Sequence, residues 1–376
     1  MAGLIAPTEL PKIDLRFGDV DGYLETCVQE GHFPGAVLLI AHQDKVLHHV
    51  SYGLAMEKPE TKPMTPSTLF DLASLTKVVV TTTLALKLVD EKIWQLDDLL
   101  EDYLPPFKPF GLQQVTIRHL LTHTSGLIPW ANLFYRGVGK SIVNEILFEN
   151  KWPILSLICP PWKHVIYSDL NFILLGLALE SVTDKSLDQL AKDWIFMPCG
   201  MNNTGFNPDP KKHLDIAPTE DDATRGGVLI GTVHDENAWA MEGVSGHAGL
   251  FSTACDIALF AQMILDEGIG AHGQVLSQKS VQLLMTSQTG SLNQQRSIGW
   301  IMYNDSDPSM ASPLSPQAIT HTGFTGTSVF IDLQHNLSVI LLSNRVHPLR
   351  HRGANQINSI RTTSYHKILN VLRINK

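Results

Sequence analysis

This chain has few of the features that mark nucleic-acid binding, membrane insertion or a disulfide framework. Only 17% of its 376 residues are charged, and acidic residues outnumber basic ones, 37 to 28, for a net charge of -9. No Lys/Arg cluster interleaved with aromatics occurs, and an acidic surface repels nucleic-acid and lipid phosphates. No apolar run is long enough to span a bilayer. The opening residues, Met1-Ala-Gly-Leu-Ile-Ala-Pro-Thr-Glu-Leu10, lack the basic start and long apolar core of a secretory signal. The four cysteines, Cys27, Cys159, Cys199 and Cys255, are far apart and form no C-x-x-C pair. That argues against Cys-rich structural zinc and favours buried free thiols in a reducing compartment. The resulting expectation is a cytoplasmic protein, or a periplasmic or secreted one if a leader has been removed. Internal repeats and low-complexity tracts are absent.

What is present is an ordinary globular composition, 44% hydrophobic, with length for about two domains or one domain with an insertion. Apolar positions at helical spacing run over Asp19–Gln29. The run Pro34–His42, a turn at Gln43-Asp44-Lys45 and Val46–Tyr52 predict a β-hairpin. From Ser74 to Val89 the chain is apolar with Thr and Ala, as in a buried helix, despite frequent β-branched residues. Residues 115–200 read as mostly helical, with loops at Gly126–Pro129 and Pro160-Pro161 and a strongly apolar helix over Asp169–Val182. Residues 202–249 read as irregular loops, and Thr253–Glu267 as a helix. The C-terminal region predicts strands at Ala318–His321, Gly326–Leu333 and Asn336–Asn344, then a helix over Asn355–Val371. Strands at both ends and helices between them predict an α+β fold. Its antiparallel sheet joins N- and C-terminal strands and is flanked by helices. The α/β part covers about 15–90 and 255–376, and a mostly helical insertion covers about 91–254.

The strongest chemical signal is Ser74-Leu-Thr-Lys77 at the start of an apolar helical run. Three residues is just under one helical turn, so both side chains share a face. A serine hydroxyl needs a neighbour to take its proton, and a lysine serves if burial or nearby positive charge lowers its pKa. A second S-x-x-K, Ser364-Tyr-His-Lys367, has nothing downstream to complete a site and reads as exposed residues of a terminal helix. The first copy is followed by Tyr167-Ser168-Asp169 and then, on a predicted strand, by His321-Thr322-Gly323. A tyrosine whose pKa is lowered by a nearby cation can act as a base or relay protons. A strand of small residues offers backbone N–H groups for an oxyanion hole, and Gly323 would let substrate approach closely.

This order of motifs resembles the serine β-lactamase and penicillin-binding protein superfamily, in the branch of class C β-lactamases, D-alanyl-D-alanine carboxypeptidases and β-lactamase-like esterases. The family pattern is S-x-x-K, Y-x-N and K/H-T-G. Supporting segments are His119-Leu-Leu-Thr-His-Thr-Ser-Gly126, Gly246-His-Ala-Gly-Leu-Phe-Ser-Thr253 and His321-Thr-Gly-Phe-Thr-Gly326, so the likeness spans roughly residues 20–370. The resemblance implies a covalent acyl-enzyme and no cofactor. By position it makes Ser74 the nucleophile, Lys77 its partner and Tyr167 the general base, with oxyanion donors at the N–H groups of Ser74 and Phe324. Asp169, His321, Thr322, Gly323 and Phe324 would face the substrate. Two positions depart from the pattern. Asp169 replaces an asparagine and cannot donate to a carbonyl unless protonated. His321 replaces the fixed charge of a lysine. Both changes argue against efficient penicillin hydrolysis.

The expected activity is therefore cleavage of an ester or amide: a small ester, a peptidoglycan-derived peptide or a β-lactam. The absence of a signal favours an esterase or a muropeptide amidase over a wall-facing carboxypeptidase. A catalytically silent binding protein of the same fold is the alternative from another class. Metal-dependent hydrolysis through His119 and His123 is a third, although no H-E-x-x-H follows, and packing near the domain junction is the expected role of these histidines. Tyr303-Asn-Asp305 and Gln288-Thr-Gly290 mimic the second and third motifs but lie in polar sequence.

Overall fold

The computed structural model describes residues 15–104, 113–148, 155–209, 211, 215–290, 292–302, 315 and 317–374. The first ten residues and Tyr303-Asn-Asp305 lie outside them. Its centre is a seven-stranded antiparallel sheet. In chain order the strands are β1 (Gly35–His42), β2 (Lys45–Met56), β3 (Lys62–Pro63), β4 (Ile301–Met302), β5 (Ala318–Thr322), β6 (Ser328–Asp332) and β7 (Leu337–Ser343). Their order across the sheet is β4-β5-β6-β7-β1-β2-β3. The C-terminal strand β7 therefore pairs with β1, Leu38 opposite Leu341, and the two ends of the chain close one sheet. The β1–β2 hairpin turns through Gln43 and Asp44, both at positive φ (51° and 62°), the backbone that a two-residue turn between twisted strands demands. The two-residue strands β3 and β4 were not expected, because two residues carry no periodicity.

Strand β1 is apolar on both faces, and its alternation divides the core. Val37, Leu39 and Ala41 join the larger apolar cluster, while Ala36, Leu38 and Ile40 join a second one. Helices α1 (Gly18–Gln29) and α7 (Ile357–Leu372) cover the second face through Val20, Leu24, Ile360 and Ile368. Helix α6 (Ala254–Leu265) covers the first through Ile257, Phe260 and Ile264. The same large cluster continues into the middle of the chain, where α2 (Thr83–Asp90), α3 (Ile117–Leu121), α4 (Lys140–Phe148) and α5 (Asp169–Thr183) lie. Helix α5 is apolar all round and buried over Leu170–Leu179, as a helix packed on every side must be. The architecture is thus α+β, a large antiparallel sheet flanked by helices.

The segment after Ser74 is not a regular α-helix. Residues Lys77–Thr82 form a wide π-helical stretch before α2 begins. The run Val78-Val79-Val80-Thr81-Thr82 is β-branched throughout, which crowds a normal helical turn. π-Helical turns of this kind recur at functional sites.

Candidate active site

Ser74 sits where the small sheet formed by Phe70–Asp71, Leu250–Ser252 and Gly205–Phe206 hands the chain to this helix. The residue before it, Ala73, has φ 47°, a left-handed conformation that costs a non-glycine residue roughly 1–2 kcal/mol. Its neighbours hold it there. The Ala73 N–H donates to buried Asp71 Oδ1 at 2.8 Å, and its carbonyl accepts from Thr76 Oγ1 at 2.7 Å. Asp71 Oδ2 accepts from the His234 N–H at 2.7 Å. The bend turns Ser74 away from the core, where it is partly exposed.

Lys77 is fully buried and has several partners. Its Nζ donates to Ser74 Oγ at 3.0 Å and to the His247 carbonyl at 2.9 Å, lies 2.8 Å from Asp169 Oδ1, and stands 5.1 Å from the centre of the Tyr167 ring. Burial by itself would pull its pKa down, but Asp169 and Tyr167 outweigh burial and hold it above the ordinary lysine value. A pKa raised rather than depressed does not suit Lys77 as the acceptor of the serine proton, and it favours a role in keeping the site positive. His247, within the glycine-rich Gly246-His-Ala-Gly segment, is itself anchored. Its Nε2 lies 2.8 Å from half-buried Asp235 Oδ1, and its Nδ1 2.8 Å from Ser245 Oγ. Burial disfavours the Asp235 charge, yet His247 and, more distantly, Lys77 hold the carboxyl well below the usual range.

Asp169 enters the site on the first turn of α5, and Tyr167 just before the helix cap Ser168. The Asp169 N–H donates to the Pro129 carbonyl at 2.9 Å, and Ser168 Oγ to the Ile128 carbonyl at 2.6 Å. Asp169 is thus both a first-turn residue, favourable at a helix N-terminus, and the counter-charge of Lys77. His321 and Thr322 of the third motif lie on β5, as expected, and Gly323 follows its end. His321 is buried, and its Nδ1 faces the Thr322 carbonyl at 3.1 Å. A carbonyl only accepts, so Nδ1 carries the proton, and in the neutral ring Nε2 is an acceptor. That nitrogen has no partner among the described residues. Burial, then Arg296 and Lys77, keep His321 well below the ordinary histidine pKa, so it does not replace a lysine as a charge.

Gly323 corrects another expectation. A side chain there would meet Thr327 Oγ1 and the Leu72 carbonyl, at 2.2 and 2.4 Å from its Cβ. Its open side is filled by the backbone of the Ser74 segment and not by a substrate. The loop after it binds the same segment: Thr325 Oγ1 donates to the Asp71 carbonyl at 2.7 Å and Thr327 Oγ1 to the Leu72 carbonyl at 3.0 Å. Phe324 is 49% exposed; its ring stacks on His234 at 5.6 Å and lies beneath the guanidinium groups of Arg345 and Arg350. Among the described residues neither the Ser74 nor the Phe324 amide donates a hydrogen bond. Thr322 is partly exposed beside them.

Two further residues surround Tyr167. His123, at φ 58°, packs its ring on Tyr167 at 4.5 Å and accepts at Nδ1 from the Ser168 N–H at 3.1 Å. Arg296 is buried with its guanidinium 5.5 Å from the Tyr167 ring. The spacing of His119 and His123 suggested a shared face. Instead His119 points away and accepts at Nδ1 from the Thr116 N–H at 3.0 Å, capping α3. Arg296 carried no sequence signal, since it lies in a polar loop far from all three motifs. The Gln288-Thr289-Gly290 segment is part of that loop, and the Gln288 N–H donates to the Arg296 carbonyl at 2.7 Å. Ser364 is buried on α7, not exposed as expected, and α7 packs on the far face of the sheet.

The chain is similar to known proteins. The Beta-lactamase family model covers residues 20–361. A putative D-alanyl-D-alanine carboxypeptidase of Escherichia coli O157:H7 is 33% identical over 367 residues, covering 88% of this chain and 83% of that one. A protein of the same description from Salmonella agona is 31% identical over 363 residues, covering 87% and 82%. Among solved structures, a class C β-lactamase from Rhodobacter sphaeroides has a TM-score of 0.71 at 20% identity, covering 96% of this chain and 100% of that one. EstCE1, a hydrolase with promiscuous acyltransferase activity, has a TM-score of 0.71 at 24% identity, covering 93% and 99%. The chain belongs to the β-lactamase family, and it is a hydrolase of the β-lactamase and penicillin-binding protein type.

Proposed function

We propose that this protein cleaves an ester or amide through an acyl-enzyme on Ser74. The observation that carries the reading is the contact set of one atom, Lys77 Nζ, which touches Ser74 Oγ, Asp169 and the His247 carbonyl beside the Tyr167 ring. In this reading Lys77, held charged, orients the Ser74 hydroxyl, and Tyr167 takes its proton. The serine oxygen bonds to the acyl carbon, the carbonyl electron pair moves onto oxygen, and the undonated amides of Ser74 and Phe324 receive it. Collapse expels the leaving group with the proton from Tyr167, and water repeats the sequence to free the enzyme. Thr322, Gly323 and His321 form the wall of this site, Gly323 by letting the two backbones close up.

The name of the 33%-identical relative supports a D-alanyl-D-alanine-ended peptide as substrate. The neutral, buried His321 supports a small ester, because it offers no standing charge to a terminal carboxylate. All four cysteines are unpaired, which supports the reducing, cytoplasmic reading, and no helix among the described residues is long and apolar enough to cross a membrane. We retain the division into an α/β part, about 15–90 and 255–376, and an insertion over about 91–254.

The test is time-resolved intact mass of the protein mixed in turn with benzylpenicillin, a p-nitrophenyl ester and a D-alanyl-D-alanine peptide, beside Ser74→Ala. The expected result is turnover or a covalent adduct with at least one of them, falling on the order of 10⁴-fold or more in Ser74→Ala. Turnover retained in Ser74→Ala would remove the nucleophile. A fluorophosphonate that labels no residue of the folded wild type would favour the silent binding protein instead.

A further inference from the structure

Arg296 is a buried cation without a buried anion. It is 2% exposed, and its Nε donates to Gln294 Oε1 at 2.9 Å, while its Nη1 is buried with no hydrogen-bond partner. No carboxylate pairs with it among the described residues, and the one acidic group acting on it is Tyr167. Buried charges are ordinarily paired, because an unpaired one is costly. The groups facing the Tyr167 ring are Lys77 at 5.1 Å, His123 at 4.5 Å, Arg296 at 5.5 Å and His321 at 6.2 Å, with Asp169 behind Lys77. Asp169 already neutralises Lys77. Both histidines are kept from charging by burial first and then by the two cations.

The loop that carries Arg296 also holds the Tyr167 segment. Asn293 Oδ1 accepts from the Val165 N–H at 2.8 Å, and its Nδ2 donates to the Val165 carbonyl at 3.0 Å, two residues before Tyr167. The Arg296 N–H donates to Thr289 Oγ1 at 2.9 Å, which fixes the loop internally. Charge and tyrosine are therefore held in register by one clasp.

We propose that Arg296 is a positioning residue for the reaction: its guanidinium is the standing positive charge against which the Tyr167 phenolate forms. It touches no substrate and acts only through Tyr167. The proton balance is unchanged: the phenolate takes the Ser74 proton and returns it to the leaving group, and Arg296 stays protonated throughout. In this protein it does the electrostatic work for which His321 has no charge. The inference rests on the reading of Tyr167 as the base.

The experiment is the rate of Ser74 labelling by a fluorophosphonate, followed by intact mass across pH, for wild type, Arg296→Gln, Arg296→Lys and Tyr167→Phe, each checked for folding by circular dichroism. In Arg296→Gln the acidic limb of the profile is expected to move upward by about one pH unit or more. Neutral-pH labelling should fall about tenfold, with recovery at alkaline pH and an unchanged half-saturating probe concentration. Arg296→Lys should restore most of the profile. A profile that superimposes on wild type, that falls equally at every pH, or that changes only in half-saturation would overturn the proposal. If Arg296→Gln does not fold, Arg296→Lys decides: loss of the limb with the charge retained overturns it. Labelling of Tyr167→Phe at the wild-type rate sinks the reading of Tyr167 itself, which is a separate outcome from failure at Arg296 alone.

Discussion

At the scale of single residues, the site is a balance of charges around Lys77. Asp169 stands where the family pattern has an amide, and it keeps the Lys77 proton in place against burial. In Asp169→Asn that support is lost and burial dominates, so Lys77 should lose its proton at lower pH and the alkaline limb of the activity profile should move down. The new amide can also donate to a substrate carbonyl, so benzylpenicillin turnover at neutral pH should rise. A pH–rate profile and a penicillin assay on the purified variant check both. The converse change, His321→Lys, restores the more familiar K-T-G spelling but should fail. The position is buried, and Arg296, Lys77 and Arg361 all oppose a positive charge there. A loss of about 3 kcal/mol in stability is expected, readable in denaturant melts, with no gain in β-lactam turnover.

At the scale of elements, Ser74, the proposed nucleophile, is aimed by two backbone features. One is the left-handed Ala73, over-determined by Asp71 and Thr76. Glycine adopts this conformation without the Cβ penalty. Ala73→Gly should therefore gain up to about 1 kcal/mol in stability, while a looser bend lowers the acylation rate; thermal melts and labelling rates report the two effects separately. The other is the contact of Gly323 with the Leu72 carbonyl. Gly323→Ala forces either Thr327 or the Ser74 segment to move. It should lower stability by about 1–3 kcal/mol and reduce turnover, even though no substrate contact is removed.

At the scale of the whole molecule, the buried histidines link the site to acid stability. His123 and His321 titrate well below the ordinary value of 6.5 because burial opposes their charge. Below about that pH the unfolded chain binds protons that the folded state refuses, so stability is full above it and declines as pH falls toward the folded values. Melting temperature should drop between neutral pH and mild acid. The drop should be smaller in His321→Gln, which removes one such group. Equal slopes in the two proteins would argue against a neutral, buried His321.

Much of this was legible in the residues. The short apolar runs bounded by turn residues marked the main strands, and the unbroken apolar run of β1 called for cover on both faces of the sheet. The uniformly apolar α5 had to be a buried helix. Ser74, Lys77, Tyr167, Asp169 and His321 could be picked out because catalytic chemistry restricts residue type, and S-x-x-K is a local spacing that a single turn converts into a contact. Arg296 was not legible, because a buried charge is recognised by what surrounds it, and the Tyr167 segment that its loop holds lies more than a hundred residues away. The sign of the Lys77 shift was likewise decided only in three dimensions, where Asp169 and burial oppose each other at one atom. Sequence alone determined the fold class and singled out the candidate reacting groups, since periodicity and chemistry are written locally. The tertiary structure decided which of those groups is charged and what holds each one in place, because electrostatics and close packing depend on distances between segments the chain keeps far apart.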